Sequence, residues 1–177
     1  MNSNPFFPGM NSGGAAVLEV LVVYEDFATG IWARQVFDEL VRRTASYCAL
    51  NNTMWKFDFL GAPKLREMAA QEALKADMVL IAAHRDSVFP SPVRDWVDLW
   101  VGRKTGGLLV GLLDGNGQPT AKESVNTRYL RRVAKDGSMN LLSLESDMPR
   151  CKPDPFQDII SPQDEKDLSN LSILQRN

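Results

Sequence analysis

The chain has 177 residues, 44% of them hydrophobic, with 20 Lys and Arg against 22 Asp and Glu and a net charge of −2. That length suits one domain with its own core, and the near-balance of charge excludes a strongly basic nucleic-acid binder or a polybasic membrane-surface protein. No apolar run approaches the ~20 residues that cross a bilayer, and two cysteines without metal-ligand spacing exclude a disulfide scaffold or a zinc site.

Residues 1–15 are rich in Asn, Gly, Pro and Ser and lack the basic start and apolar run of a secretion signal. They are expected to form a flexible arm, with Phe6 and Phe7 able to dock on the body, and a reducing cytoplasm is the expected compartment. Val17–Tyr24 reads as a first buried strand, and residues 28–50 as a first helix whose apolar face runs from Ile31 and Trp32 to Tyr47 and Cys48. Cys48 is thereby expected in the core. Thr53–Leu60 alternates Trp55, Phe57 and Phe59 with Lys56 and Asp58, the pattern of a half-exposed strand near a sheet edge.

Pro63–Lys75 opens on proline and is rich in helix formers. Met78–Ala83 is an apolar run of strand length, and Ser91-Pro92 predicts a helix start with Ser as N-cap. Val93, Trp96, Val97, Trp100 and Val101 then make one apolar stripe, so the two tryptophans are assigned to the core. Gly107–Leu113 is a fourth strand ending in the turn Asp114-Gly115-Asn116-Gly117. Thr120 and Glu123 suggest a capping box for a fourth helix closed by Gly137 as C′ residue, and Met139–Glu145 a fifth strand. Beyond it, Ser146–Gln157 reads as a loop in which Cys151 lies between Arg150 and Lys152. Ser161-Pro162 with Asp164 and Glu165 starts a last helix, packed through Leu168, Leu171, Ile173 and Leu174.

Five strands alternating with helices imply a parallel sheet with right-handed crossovers. A half-exposed second strand fits the order 2-1-3-4-5, the flavodoxin-like three-layer α/β sandwich, with the domain over 16–147 and the C-terminal loop and helix of 148–177 packed on it. Ligands of this architecture bind beyond the carboxyl ends of the strands, at the switch between strands one and three. The segments expected there are Glu25–Gly30, His84–Ser91, Asp114–Thr120 and Glu145–Asp147.

Glu25-Asp26 resembles the acidic pair after strand one in response-regulator receivers, which implies Mg²⁺ held by Glu25, Asp26 and Asp114. The chain departs from that family elsewhere. Ala82 and Ala83 stand where a phosphoacceptor Asp ends strand three, and Asp86 comes three residues later. Asp114 replaces a Thr or Ser, Glu145 or a neighbour replaces a Lys, and Lys152-Pro153 lies downstream of the receiver position. A second resemblance covers Asp77–Trp100. Phe89-Pro90-Ser91-Pro92-Val93-Arg94-Asp95 and Val97-Asp98 are similar to the loop and helix after strand three in NADPH-dependent FMN reductases, with Arg85-Asp86 for the Tyr-Asn that meets the flavin. On an enzyme reading the expected cofactor rim at the carboxyl edge of the sheet is Asp26, Thr29, Gly30, His84 and Arg85 together with Asp114, with Arg85 as anion contact. Against it, one carboxylate ~6 Å from a phosphate charge costs about 3 kcal/mol at an effective dielectric near 20, and the first loop carries two.

His84, the single histidine, needs an oriented partner to act as base or ligand, and Asp26 and Asp114 are nearest by topology; a hydrogen-bonded structural role is the alternative. Ser87 with His84 and Asp86 contains the residue types of a triad, but neighbours on one short loop do not adopt relay geometry. Lys122, Arg128, Arg131, Arg132 and Lys135 form the one basic concentration, a solvated helix face or a contact for an acidic partner. The expected function is that of a bacterial-type flavodoxin-like or receiver-like domain, a non-catalytic signalling or protein-interaction module without nucleic-acid or membrane partners and with a homodimer as one assembly. The alternative is an FMN- or NAD(P)H-dependent oxidoreductase with an atypical phosphate loop. No cofactor is required by the sequence; FMN and Mg²⁺ are the candidates.

Overall fold

The computed structural model describes residues 16–85, 87–114 and 123–146, with the backbone alone for 145 and 146. The predicted arm, Asp86, the turn after Asp114 with Thr120 and Lys122, Asp147, and the predicted C-terminal loop and helix with Cys151 lie outside the described residues. The order is β1 (Ala16–Tyr24), α1 (Phe27–Thr44), β2 (Cys48–Lys56), a 3-10 turn (Phe57–Gly61), α2 (Pro63–Lys75), β3 (Met78–His84), α3 (Ser91–Trp100), β4 (Leu108–Asp114), α4 (Val125–Asp136) and β5 (Asn140–Ser146).

All five strands are parallel and lie in the order β2-β1-β3-β4-β5, the flavodoxin-like arrangement expected from the strand–helix alternation. Parallel pairing aligns neighbouring side chains on the same face, so the alternation within each strand sorts the core in two. Leu21, Val23, Val79, Ile81, Leu109 and Leu113 pack against α2, α3 and α4, with Trp96 and Trp100 fully buried among them. Val20, Val22, Leu80, Ala82, Val110 and Leu112 face the other way and pack with Trp32, Ala33 and Phe37 of α1. Register then brings the strand exits level: Tyr24 beside Lys56 and Ala82, and His84 beside Asp114. Among the described residues no helix is long and apolar enough to cross a membrane.

Several boundaries differ from the sequence reading. α1 ends at Thr44, not near 50. The Thr44 hydroxyl donates back to the Leu40 carbonyl and Tyr47 closes a turn onto Thr44, so Tyr47 is exposed and Cys48, although buried as expected, opens β2. β2 therefore starts five residues earlier than predicted. It is recruited through Asn51 and Asn52 by pairing with β1, which outweighs their low strand propensity. The chain leaves the sheet at Phe57, and the apparent alternation continues into the 3-10 turn, where Phe57 is buried and Phe59 exposed.

Ser91 is the first helical residue of α3 rather than its cap. Pro90 occupies the cap position, and its carbonyl accepts the Val93 and Arg94 N–H groups. α4 starts after Ser124, whose hydroxyl accepts the Thr127 N–H, in place of the box predicted from Thr120 and Glu123. The left-handed residue at its end is Ser138 (φ 50°), while Gly137 has an ordinary φ of −89°.

Candidate functional site

The turn between β1 and α1 is built by Asp26. Its Oδ1 accepts the Thr29 N–H at 2.9 Å, and the Thr29 Oγ1 accepts the Asp26 N–H at 2.9 Å, a reciprocal box that satisfies two donors at the helix start. This leaves Asp26 Oδ2 pointing across to β3, 2.8 Å from His84 Nε2. The other ring nitrogen, Nδ1, lies 3.5 Å from Oδ2 of Asp114 at the end of β4. Three strand exits thus meet at one imidazole.

Glu25 serves the backbone of the same junction. Its own N–H donates to the Ala82 carbonyl at 3.0 Å, and its Oε2 accepts the His84 N–H at 2.8 Å. The Ser87 hydroxyl lies 3.0 Å from Glu25 Oε2 and 2.9 Å from the His84 carbonyl, with a single proton to give. The loop is held from its other side by Asn126, a buried residue in the first turn of α4. Its Nδ2 donates to the His84 and Ser87 carbonyls at 3.1 and 2.7 Å, and its Oδ1 accepts the Phe89 N–H at 3.3 Å. Sequence reasoning missed Asn126, since asparagine in a first helical turn is ordinary.

The electrostatics follow from these contacts. The hydrogen bond with Asp26 raises the His84 pKa most; burial opposes it, and the charges of Asp26 and Glu25 and the bond to Asp114 add to it. Burial alone raises the pKa of Asp26, but the Thr29 N–H, the His84 ring and the Thr29 hydroxyl together bring it below its ordinary value. An imidazole with a carboxylate on each nitrogen is favoured as imidazolium, and an imidazolium has no lone pair with which to take a proton. His84 is thus held between two carboxylates, both anticipated from topology, which favour its charged form. Ser87 contacts the carbonyl of His84 and not its ring, so the triad residue types form no relay.

Of the other nominated residues, Arg85 donates its backbone N–H to the Asp114 carbonyl at 3.3 Å. Gly30, buried one turn into α1, lies against the ring of Tyr24: a Cβ at this position would stand 2.7 Å from Tyr24 Cδ2. Its glycine is accounted for by that ring. An apolar groove of about 240 Å³ opens beside it, bounded by Tyr24, Phe27, Ile31 and Met54 with Arg34 and Gln35, below the ~300 Å³ at which ligand pockets begin.

These residues do not fit a flavin phosphate. The N–H and hydroxyl of Thr29 are committed to Asp26, and the facing groups are carboxylates. The candidate Mg²⁺ ligands are engaged as well: the Asp26 and Asp114 carboxylates flank the His84 ring and Glu25 is bonded to backbone, and no group of three or more His, Cys, Asp and Glu among the described residues is arranged to hold a metal ion. Beyond four of the five described strands stands an exposed large apolar side chain: Phe27 after β1, Phe59 after β2, Val88 after β3 and Val125 where the described residues resume after β4. Their exposures run from 52% to 79%.

No family model matches the chain, and no curated protein matches it. Among solved structures it is similar to an ABC transporter solute-binding protein from Burkholderia multivorans, whose title describes an unknown ligand built as α-D-erythrofuranose. The identity is 13% and the TM-score 0.33, over 76% of this chain and 61% of that protein. The chain thus spans under two thirds of that protein's length.

Proposed function

We propose that the chain is a non-catalytic signalling or protein-interaction module of the flavodoxin-like type that docks a protein partner on the carboxyl rim of its sheet. The observation that carries the reading is the His84 imidazole held between Asp26 and Asp114. The groups that would do chemistry at this crevice are spent on one another and fix the β3–α3 loop. The apolar side chains at the strand exits suit contact with a protein surface, because exposed apolar groups around a polar centre release water when a partner covers them.

The test joins a chemical arm to a binding arm. Purified protein is scanned for flavin absorbance, for thermal stabilisation by FMN, and for labelling by a small phosphodonor with Mg²⁺. No response in all three is expected. Flavin binding would favour the oxidoreductase, and labelling abolished by Asp26→Asn the receiver. Partner recovery by crosslinking in the source cell is then compared between wild type, Phe27→Ser with Val88→Ser, and Arg131→Glu with Arg132→Glu. Loss with the first pair and retention with the second is the expected result. The reverse would move the docking face to α4.

A further inference from the structure

We infer that residues 161–174 form an amphipathic helix that covers the leucine-bearing face of β5 and completes the layer in which α1 stands alone. The two faces of the sheet are unequally covered. Among the described residues three helices pack on one, and α1 alone on the other. On the α1 side Val110 and Leu112 of β4 are buried, yet their register partners on β5, Leu142 and Leu144, are 46% and 40% exposed. Leu141, on the opposite face of β5, packs against the core that includes Leu130, Val133 and Ala134 of α4. An edge strand with a solvated face would place polar residues at 142 and 144. Apolar residues on both faces are the pattern of a strand covered twice.

The chain carries a cover of suitable size and place. Residues 147 to 177 follow β5. Within them Ser161-Pro162 with Asp164 and Glu165 carries the sequence pattern of a helix start, and Leu168, Leu171 and Leu174 follow at helical spacing. A helix over 161–174 is ~21 Å long at 1.5 Å per residue, close to the ~23 Å of the seven-residue β5. The preceding residues, 147–160, reach up to ~46 Å when extended. That is ample to leave the carboxyl rim, where β5 ends, and turn back along the sheet. α4 already occupies one face, so the returning segment is directed to the other.

The experiment uses the full chain with Cys151→Ser; the remaining native thiol, Cys48, is buried. Leu144→Cys is introduced and its rate of reaction with a maleimide is measured with and without Leu171→Glu and Leu174→Glu. The native tail should protect the new thiol, and the two glutamates should speed labelling about tenfold or more by releasing it. Equal rates in the two chains overturn the inference. So does protection that strengthens with protein concentration, which would assign the face to a second copy. Should Leu144→Cys disturb β5, deuterium uptake across residues 140–146 is compared between wild type and Leu171→Glu. Faster uptake in the variant supports the docked tail, and unchanged uptake overturns it.

Discussion

Replacing Asp26 by Asn isolates the charge at the centre of the crevice. Asn is as good an N-cap as Asp, and its carbonyl oxygen keeps the acceptor for the Thr29 N–H, so the turn is preserved while His84 loses its nearest counter-charge. Unit charges ~4 Å apart are worth about 4 kcal/mol at an effective dielectric of 20 and about 1 kcal/mol in water. With side chains 37% and 45% exposed, solvent screening puts the pair at the lower end, about 1 kcal/mol. The sign with pH follows from the directions of the two shifts. His84 has a raised folded pKa, so its share is complete below the unfolded value of ~6.5 and is lost as pH rises through the folded value. Asp26 has a lowered folded pKa, so its share is present above ~3.9 and is lost as pH falls through the folded value. Stability from this pair is therefore greatest between ~4 and ~6.5 and declines on the alkaline side.

Urea unfolding across that range should show the decline in wild type. The Asn variant should be about 1 kcal/mol less stable near pH 5.5, a midpoint shift of ~0.5 M for a slope of ~2 kcal/mol/M. It should also show a flatter alkaline limb, with a residue left by Asp114. Because the chain has one histidine, its ring proton resonance titrates alone and should have a midpoint above ~6.5 in wild type, lowered in the variant. Parallel limbs in the two proteins, or a wild-type curve that does not change from pH 5.5 to 8.5 (roughly the range spanned by imidazole titration), would refute the reasoning.

Asn126→Ala removes the donor to two carbonyls and the acceptor of the Phe89 N–H; with those groups left short of partners the cost should be about 2–3 kcal/mol, read as a fall in thermal midpoint, and a change under ~0.5 kcal/mol would show that water replaces the side chain fully. Gly107→Ala places a Cβ 2.9 Å from the Asp77 carbonyl oxygen at φ +100°, so denaturant titration should reveal a loss of about 1–3 kcal/mol; wild-type stability would contradict the strain. Trp100→Ala empties a fully buried site and should cost about 3–5 kcal/mol by the same titration, a loss below ~1 kcal/mol meaning that α2 and α3 collapse onto the gap.

The fold was legible because its signals were redundant. Met78–Ala83 and Leu108–Leu113 are apolar on both sides, and Val93, Trp96, Val97 and Trp100 point one way, so strand and helix assignments reinforced each other. The half-exposed second strand was enough to choose the sheet order, even though its limits were misplaced. Those limits failed where tertiary pairing decided the outcome. Nothing local in Asn51-Asn52 favours a strand, and their conformation comes from the β1 neighbour. The Trp55-Lys56-Phe57-Asp58-Phe59 alternation misled in the opposite sense, because a 3-10 turn can also put one aromatic in and the next out.

The site was legible in membership and not in roles. Topology alone put Asp26, His84 and Asp114 at adjacent strand exits, because the register sets His84 beside Asp114 and Tyr24 beside Ala82. What each group does there depends on angstrom-scale choices that the residue types leave open. Asp26 is both an N-cap and the counter-ion of His84, using one carboxylate oxygen for each task. An aspartate with only the second task would be free to turn towards a ligand; one with both is fixed at the helix start. The same fixation removes the N–H and hydroxyl of Thr29 from a phosphate. With Glu25 closing on the His84 amide, the acidic loop holds the β3 exit in place. The carboxylates of this loop thus act as ligands for the protein's own backbone and its single imidazole, and the docking role proposed for the apolar exits, led by Phe27, rests on that internal satisfaction.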